Sequence, residues 1–239
     1  MSLKNDVVKG VKWSTISAVV IALVAVIKIS ILARLLDKSD FGLMALVTFV
    51  MGFMNLFNDM GLTSAIIHIQ NISKKEYASL FWFNLMMSGI MYTVLLLVVP
   101  FISSFYNEPA LKILIPLLGL NLFISALGKM FKTIEQKELK FKSVALFDII
   151  AAFSSLILAI FLALKNYGVY ALVYSALLQY SLMNLLYLIL GLNKYGLLCH
   201  CKYKDTKPFL KIGVYQVGGQ IINYFNRDLD ILIIAKFFN

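Results

Sequence analysis

Seven apolar runs, each near or above the ~20 residues that an α-helix needs to cross a bilayer, follow one another at 13–33, 41–67, 78–104, 109–131, 144–164, 168–192 and 209–238. Short polar joints separate them, none large enough to fold as a soluble domain. This pattern leaves little choice of fold. Backbone polar groups in hydrocarbon must be satisfied inside a helix or a closed barrel, and runs that are continuous rather than alternating argue against a β-barrel. The expected class is all-α, a polytopic membrane helical bundle of about seven transmembrane helices. A composition of 61% hydrophobic and 14% charged residues agrees, because a water-facing surface needs more polar cover. Lys4, Lys9 and Lys12 precede the first run as they would in a signal peptide. Lys28 interrupts that run, however, and no small-residue cleavage pattern follows, so it reads as a retained helix.

The net charge of +10 follows from topology. With the N-terminus in the cytosol, fifteen of the 22 Lys and Arg residues fall on the cytosolic side and five on the other, with Lys28 and Arg227 inside the membrane. That bias predicts a cytoplasmic N-terminus. It also puts the excess charge beside anionic headgroups, so membrane lipids rather than nucleic acid are the expected partners. Cys199 and Cys201 are the only cysteines, which excludes a disulfide framework. With His200 between them they offer three soft ligands, but the adjacent spacing and the lack of a fourth ligand argue against structural zinc. No cofactor or metal is expected. No loop could hold a soluble active site, so the chain does not read as an enzyme.

The last run carries the most distinctive chemistry. Gln216, Gln220, Asn223, Arg227 and Asp230 recur at steps of four, three, four and three, which puts all five on one helical stripe. A central Arg or Asp facing lipid costs about 2.5–3.5 kcal/mol or more, so the stripe must face helices or water. The second run repeats the pattern with Thr48, Gly52, Asn55, Asp59 and Thr63. Lys28 in the first run and Asp148 in the fifth also need partners. Small polar residues such as Asn84, Ser88, Ser125 and Ser155 commonly serve as helix–helix contacts. Two readings of the charges stay open. Runs one, two and seven could wall a hydrated cavity, or Lys28 and Arg227 could form salt bridges to Asp230 or Asp59. Uninterrupted apolar stretches such as 95–99 are expected to face lipid, and Pro116 to kink its helix.

The end of the first run, ILARLLD at 31–37, is echoed by IIAKFFN at 233–239, and Gly10-Val11 by Gly213-Val214. This suggests that the seventh run opens a second copy of a six-helix unit. The stretch ILARLLDKSDFGLMALVTFVMGFMNLFNDMGLTSAIIHIQ (31–70) resembles the first hairpin of bacterial polysaccharide flippases, of the O-antigen and teichuronic acid type. The likeness rests on Leu-Ala-Arg-Leu-Leu closing the first helix, Asp40-Phe41-Gly42 opening the second and Asp59-Met60-Gly61-Leu62 closing it. Asn226-Arg227-Asp228-Leu229-Asp230 is similar to their seventh helix. This family sits in the multidrug/oligosaccharidyl-lipid/polysaccharide exporter superfamily.

The resemblance implies two six-helix lobes around a cavity and alternating access. It also implies a cargo of undecaprenyl-diphosphate-linked oligosaccharide in the bacterial inner membrane, with envelope polysaccharide assembly proteins as possible partners. Residues 1–208 then form the first lobe and 209–239 the opening helix of a truncated second, as in a fragment of a longer protein. On that reading Lys28 and Arg227 hold the diphosphate and Arg34 takes part in release. Asn55, Gln216, Gln220 and Asn223 face sugar hydroxyls. Asp59, Asp148 and Asp230 balance these cations or couple to an ion gradient. The alternatives are a small-molecule antiporter of the same superfamily and a non-transporting membrane scaffold.

Overall fold

The computed structural model describes residues 3–59, 62–69 and 72–210, with 213, 218–220, 222, 223 and 226. The described chain is carried by α1 (Leu3–Leu32), α2 (Lys38–Asp59), α3 (Leu62–His68), α4 (Lys74–Tyr106), α5 (Leu111–Lys137), α6 (Phe141–Leu164) and α7 (Val169–Tyr195). Helical backbone also covers 203–210. All but the seven-residue α3 are long and apolar enough to cross a membrane. The protein is therefore an all-α, multi-pass membrane protein. The predicted run at 41–67 is helical on both sides of residues 60 and 61, which lie outside the described residues, and the predicted seventh span lies mostly outside them.

Local chemistry explains where the helices end. Ser73 caps α4 in a capping box: its Oγ accepts from the Glu76 N–H at 3.3 Å, while Glu76 Oε2 accepts from the Ser73 N–H at 2.7 Å. After α4, α5 and α6 the chain reverses in the same way. The Glu108, Lys140 and Tyr167 amides donate back five residues, to the carbonyls of Ser103, Glu135 and Leu162. The residue before each donor, Asn107, Leu139 or Asn166, takes a left-handed backbone with φ of 57°, 57° and 61°. This is the Schellman arrangement. Asn tolerates that conformation, whereas Leu139 pays a steric cost on the order of 1–2 kcal/mol.

The chain divides into two compact units, residues 1–37 with 127–196 and residues 38–126 with 197–239, so that α5 contributes to both. In the first unit α6 packs against α1 and against α7. Apart from Val144, its buried side chains are small: Ala145, Ala151, Ala152, Ser155, Ala159 and Ala163. Such residues let helix backbones approach closely where lipid removes any hydrophobic drive for association. A close backbone approach joins α5 to α7, where a Cβ on Gly128 would stand 2.4 Å from the Asn184 carbonyl oxygen.

In the second unit α2 packs against α4. Here the expectation that 95–99 faces lipid needs correcting. Leu95 and Val99, one turn apart, are 0% and 3% exposed, while Leu96, Leu97 and Val98 between them are exposed. The reason lies on α5, where Gly119 leaves a hollow that Leu95 fills.

Candidate functional site

Lys28 lies on the side of α1 that carries the buried Val24 and Leu32, one turn away on either hand. The small side chains of α6 leave room for its stem, and its ammonium donates to Ser155 Oγ at 2.8 Å. Lys28 is half-buried, and among the described residues no carboxylate lies within ion-pairing reach of it. An ammonium has three donors, and Ser155 takes one of them. A cation held inside an apolar span by a neutral hydroxyl keeps its charge available to an anion.

Asp148 is arranged differently. Lys132 Nζ donates to both of its oxygens, at 2.9 and 2.7 Å, and the buried Tyr187 donates its hydroxyl to Oδ1 at 3.0 Å. The Lys132 ammonium also lies 5.5 Å from the Tyr187 ring centre. This carboxylate is held by α5 and α7 together, two turns along α6 from Ser155. The residue pattern puts Lys132 at the edge of a polar joint. In the structure α5 runs on through it to Lys137.

Nothing in the residue pattern singles out Glu135, yet its side chain is only 1% exposed. It accepts from Lys194 and, at 2.7 Å, from the Tyr195 hydroxyl, while Oε2 has no partner among the described residues. Glu138 continues this cluster, paired with Lys140, bonded to the Tyr195 hydroxyl at 2.9 Å and 3.8 Å from Lys194. Desolvation pushes the Glu138 carboxyl up, but the Lys140 and Tyr195 hydrogen bonds and the charges of Lys140 and Lys194 outweigh it and hold it below its ordinary value. The available signal was spacing, since Lys132 and Glu135 lie about one turn apart on α5 and Glu138 follows in the turn after it.

In the second unit Asn58 is the buried polar side chain of α2 among the described residues, and Asn55, expected to face the glycan, is half-buried. Asn58 Oδ1 accepts from Ser88 at 2.7 Å, and Nδ2 donates to the Leu122 carbonyl at 3.2 Å and to Ser125 at 3.4 Å. Asn58 thus ties α2 to α4 and α5 as a packing contact. The segment after α7 is bound to the start of α4. Trp82 Nε1 donates to the Leu198 carbonyl at 3.0 Å, and Ser79 Oγ donates to Asp205 at 3.1 Å. His200 meets Asp205 as well, at 2.9 Å, while Cys199 and Cys201 are exposed and free.

Of the remaining predicted residues, Arg34 is exposed in the turn after α1, Gln220 is half-buried and Asn223 is exposed. Gln216, Arg227, Asp230 and the side chain of Asp59 lie outside the described residues.

Residues 31–239 match the family described as "Polysaccharide biosynthesis protein". The lipopolysaccharide biosynthesis protein WzxC of Escherichia coli K12 is 27% identical over 99% of this chain and 48% of its own length. The teichuronic acid biosynthesis protein TuaB of Bacillus subtilis 168 is 24% identical over 99% of this chain and 49% of its own. The succinoglycan biosynthesis transport protein ExoT of Rhizobium meliloti 1021 is 22% identical over 98% and 47%. The chain thus spans about half the length of these curated relatives. No solved structure matches it.

Proposed function

The chain belongs to the polysaccharide biosynthesis protein family, and from that premise we propose that it is part of a non-enzymatic membrane transporter that flips lipid-linked oligosaccharide repeat units across the bacterial inner membrane. Because it spans about half of its relatives, residues 1–208 are read as the first lobe. Residues 209–239 are then the opening helix of a second, with the N-terminus in the cytoplasm and alternating access as the mode of movement. A cargo joined to its lipid by a diphosphate needs a cation within the membrane, because an anion in hydrocarbon is costly unless paired.

The observation that carries this reading is Lys28. Its ammonium stands inside the span of α1, held by the Ser155 hydroxyl and by no carboxylate among the described residues. Lys28 therefore binds the diphosphate, with Arg227 as the second cation and Arg34 at release. Asn55, Gln216, Gln220 and Asn223 meet the glycan, while Asp59 and Asp230 balance charge or couple to an ion gradient. Asp148 already has its counter-ion in Lys132, which favours charge balancing over coupling for that residue.

The test is complementation of a strain that lacks its own flippase, using the gene as it stands in the source genome. A charge-assisted hydrogen bond is worth about 1.5–3 kcal/mol, so Lys28→Ala is expected to lower surface polysaccharide by roughly tenfold to a hundredfold at unchanged protein level. Lys28→Arg, which keeps the charge, should retain most of it. Normal surface polysaccharide with Lys28→Ala would sink the assignment.

A further inference from the structure

Within the first unit a groove of about 490 Å³ opens between the start of α1 and the α5–α6 turn, lined by Lys9, Gly10, Trp13, Glu138, Lys140 and Lys142 among others. It stands where three candidate spans end: that of α1 begins at Val7, that of α5 stops at Lys137 and that of α6 begins at Phe141. The groove is therefore at the level where hydrocarbon gives way to headgroups. The turn that shapes it is held with Leu139 in the left-handed conformation, φ 57°, and the Phe141 ring lies against Gly10.

The charges in the groove are not equivalent. Lys140 is committed to Glu138, which also receives the Tyr195 hydroxyl and lies 3.8 Å from Lys194. Glu138 is thus already paired with Lys140. No carboxylate whose side chain is described lies within ion-pairing reach of Lys9 or Lys142. The Lys142 ammonium instead rests 5.7 Å from the centre of the Trp13 ring.

Two ammonium groups with no carboxylate partner among the described side chains, beside an aromatic wall at the edge of the hydrocarbon, match a ligand that is an anion at one end and hydrocarbon at the other. We propose that this groove binds an acidic phospholipid, with its phosphodiester between Lys9 and Lys142. A soluble anion would use the lysines but gain nothing from the adjoining hydrocarbon, and a zwitterionic lipid would bring its own cation to a site that already holds two. The inference does not depend on which leaflet the groove faces, nor on the transport reading.

Trp13 makes the test direct. It and Trp82 are the two tryptophans of the chain, so Trp82→Phe leaves a single reporter in the groove wall. The 239-residue chain is placed in nanodiscs containing phosphatidylglycerol or phosphatidylcholine with brominated acyl chains, and quenching of Trp13 is followed against mole fraction. A juxtamembrane lysine contributes roughly fivefold in affinity for acidic lipid. Half-maximal quenching by phosphatidylglycerol is therefore expected at a mole fraction lower by about fivefold or more than for phosphatidylcholine. The difference should vanish when Lys9→Gln and Lys142→Gln are combined, and persist when both lysines become Arg. Equal quenching by the two lipids, or a preference that survives the double Gln substitution, overturns the proposal. A preference abolished by inorganic phosphate, but not by chloride at the same ionic strength, would assign the groove to a soluble anion and overturn it too.

Discussion

Lys132 Nζ stands 2.7 Å from Asp148 Oδ2, and the Tyr187 hydroxyl holds the other oxygen of that carboxylate at 3.0 Å. Three helices meet at one ionised group, with α5 supplying the cation, α6 the anion and α7 the neutral donor. The contrast with Lys28 is instructive. Both lysines belong to spans, but one is neutralised by a neighbouring helix and the other, among the described residues, is held by a hydroxyl alone. Charge that is neutralised within the fold stabilises it, whereas charge left over is available to a ligand.

Breaking the Lys132–Asp148 pair should therefore damage stability before anything else. Removing one member of a fully buried pair costs about 3–5 kcal/mol. The side chains here are 24% and 19% exposed, so Asp148→Asn or Lys132→Gln should each cost about 1–3 kcal/mol once solvent screening is allowed for. Thermal unfolding in detergent measures this. The double variant is expected to unfold at a higher temperature than either single one, because no unpaired charge remains. Additive losses across that cycle would mean that the two residues act independently.

Gly128 offers a test of packing without charge. A Cβ there would meet the Asn184 backbone, 2.4 Å from its carbonyl oxygen and 2.6 Å from its Cα, and backbone cannot swing aside. Gly128→Ala is expected to lower stability by about 1–3 kcal/mol, the usual range for overpacking. Gly191 tests the same contact from the other helix. What its Cβ would meet is the buried Phe131 ring, 2.1 Å from Cδ1 and from Cγ, and because Cγ lies on the ring's own axis a flip does not relieve the clash. Gly191→Ala is therefore expected to cost about 1–3 kcal/mol as well, and melting temperatures unchanged by either substitution would contradict the close α5–α7 contact.

Most of the fold was legible because hydrocarbon permits few options. Apolar length alone locates the spans, and all six that fall within the described residues are helices. What stayed hidden were the pairings. Lys28 and Asp148 announce themselves as charges in apolar runs, but a linear pattern does not say that Ser155 faces one and Lys132 the other. Lys132 is sixteen positions from Asp148, across a turn whose place depends on how far α5 continues. That helix runs six residues past the end of its apolar run, and with it the buried Glu135 passes from an apparent joint into the packed interior. Asn58 was hidden for a simpler reason. It sits between Asn55 and Asp59 on a helix whose buried side is set by α4 and α5, not by its own polarity.

The segment after α7 is fastened to α4 by a carboxylate, so its docking should depend on pH. Asp205 accepts from His200 at 2.9 Å and from Ser79 at 3.1 Å, and Ser79 in turn accepts from the Lys202 amide at 3.2 Å. The His200 hydrogen bond is the largest influence on Asp205. It acts against desolvation and, with the Ser79 bond and the charges of His200 and Lys202, holds the carboxyl below its ordinary value. A carboxyl depressed by folding contributes stability above its unfolded value of about 3.9. That contribution disappears as pH falls through the lower folded value. Docking is thus expected to be complete at neutral pH and to loosen only in acid below about pH 4. In a Trp13→Phe background, Trp82 reports the change through its bond to the Leu198 carbonyl. Its emission should shift in that range, and Asp205→Asn should remove the transition while weakening docking at every pH. A shift centred well above the carboxylate range, or one that survives Asp205→Asn, would mean that another group holds the segment in place.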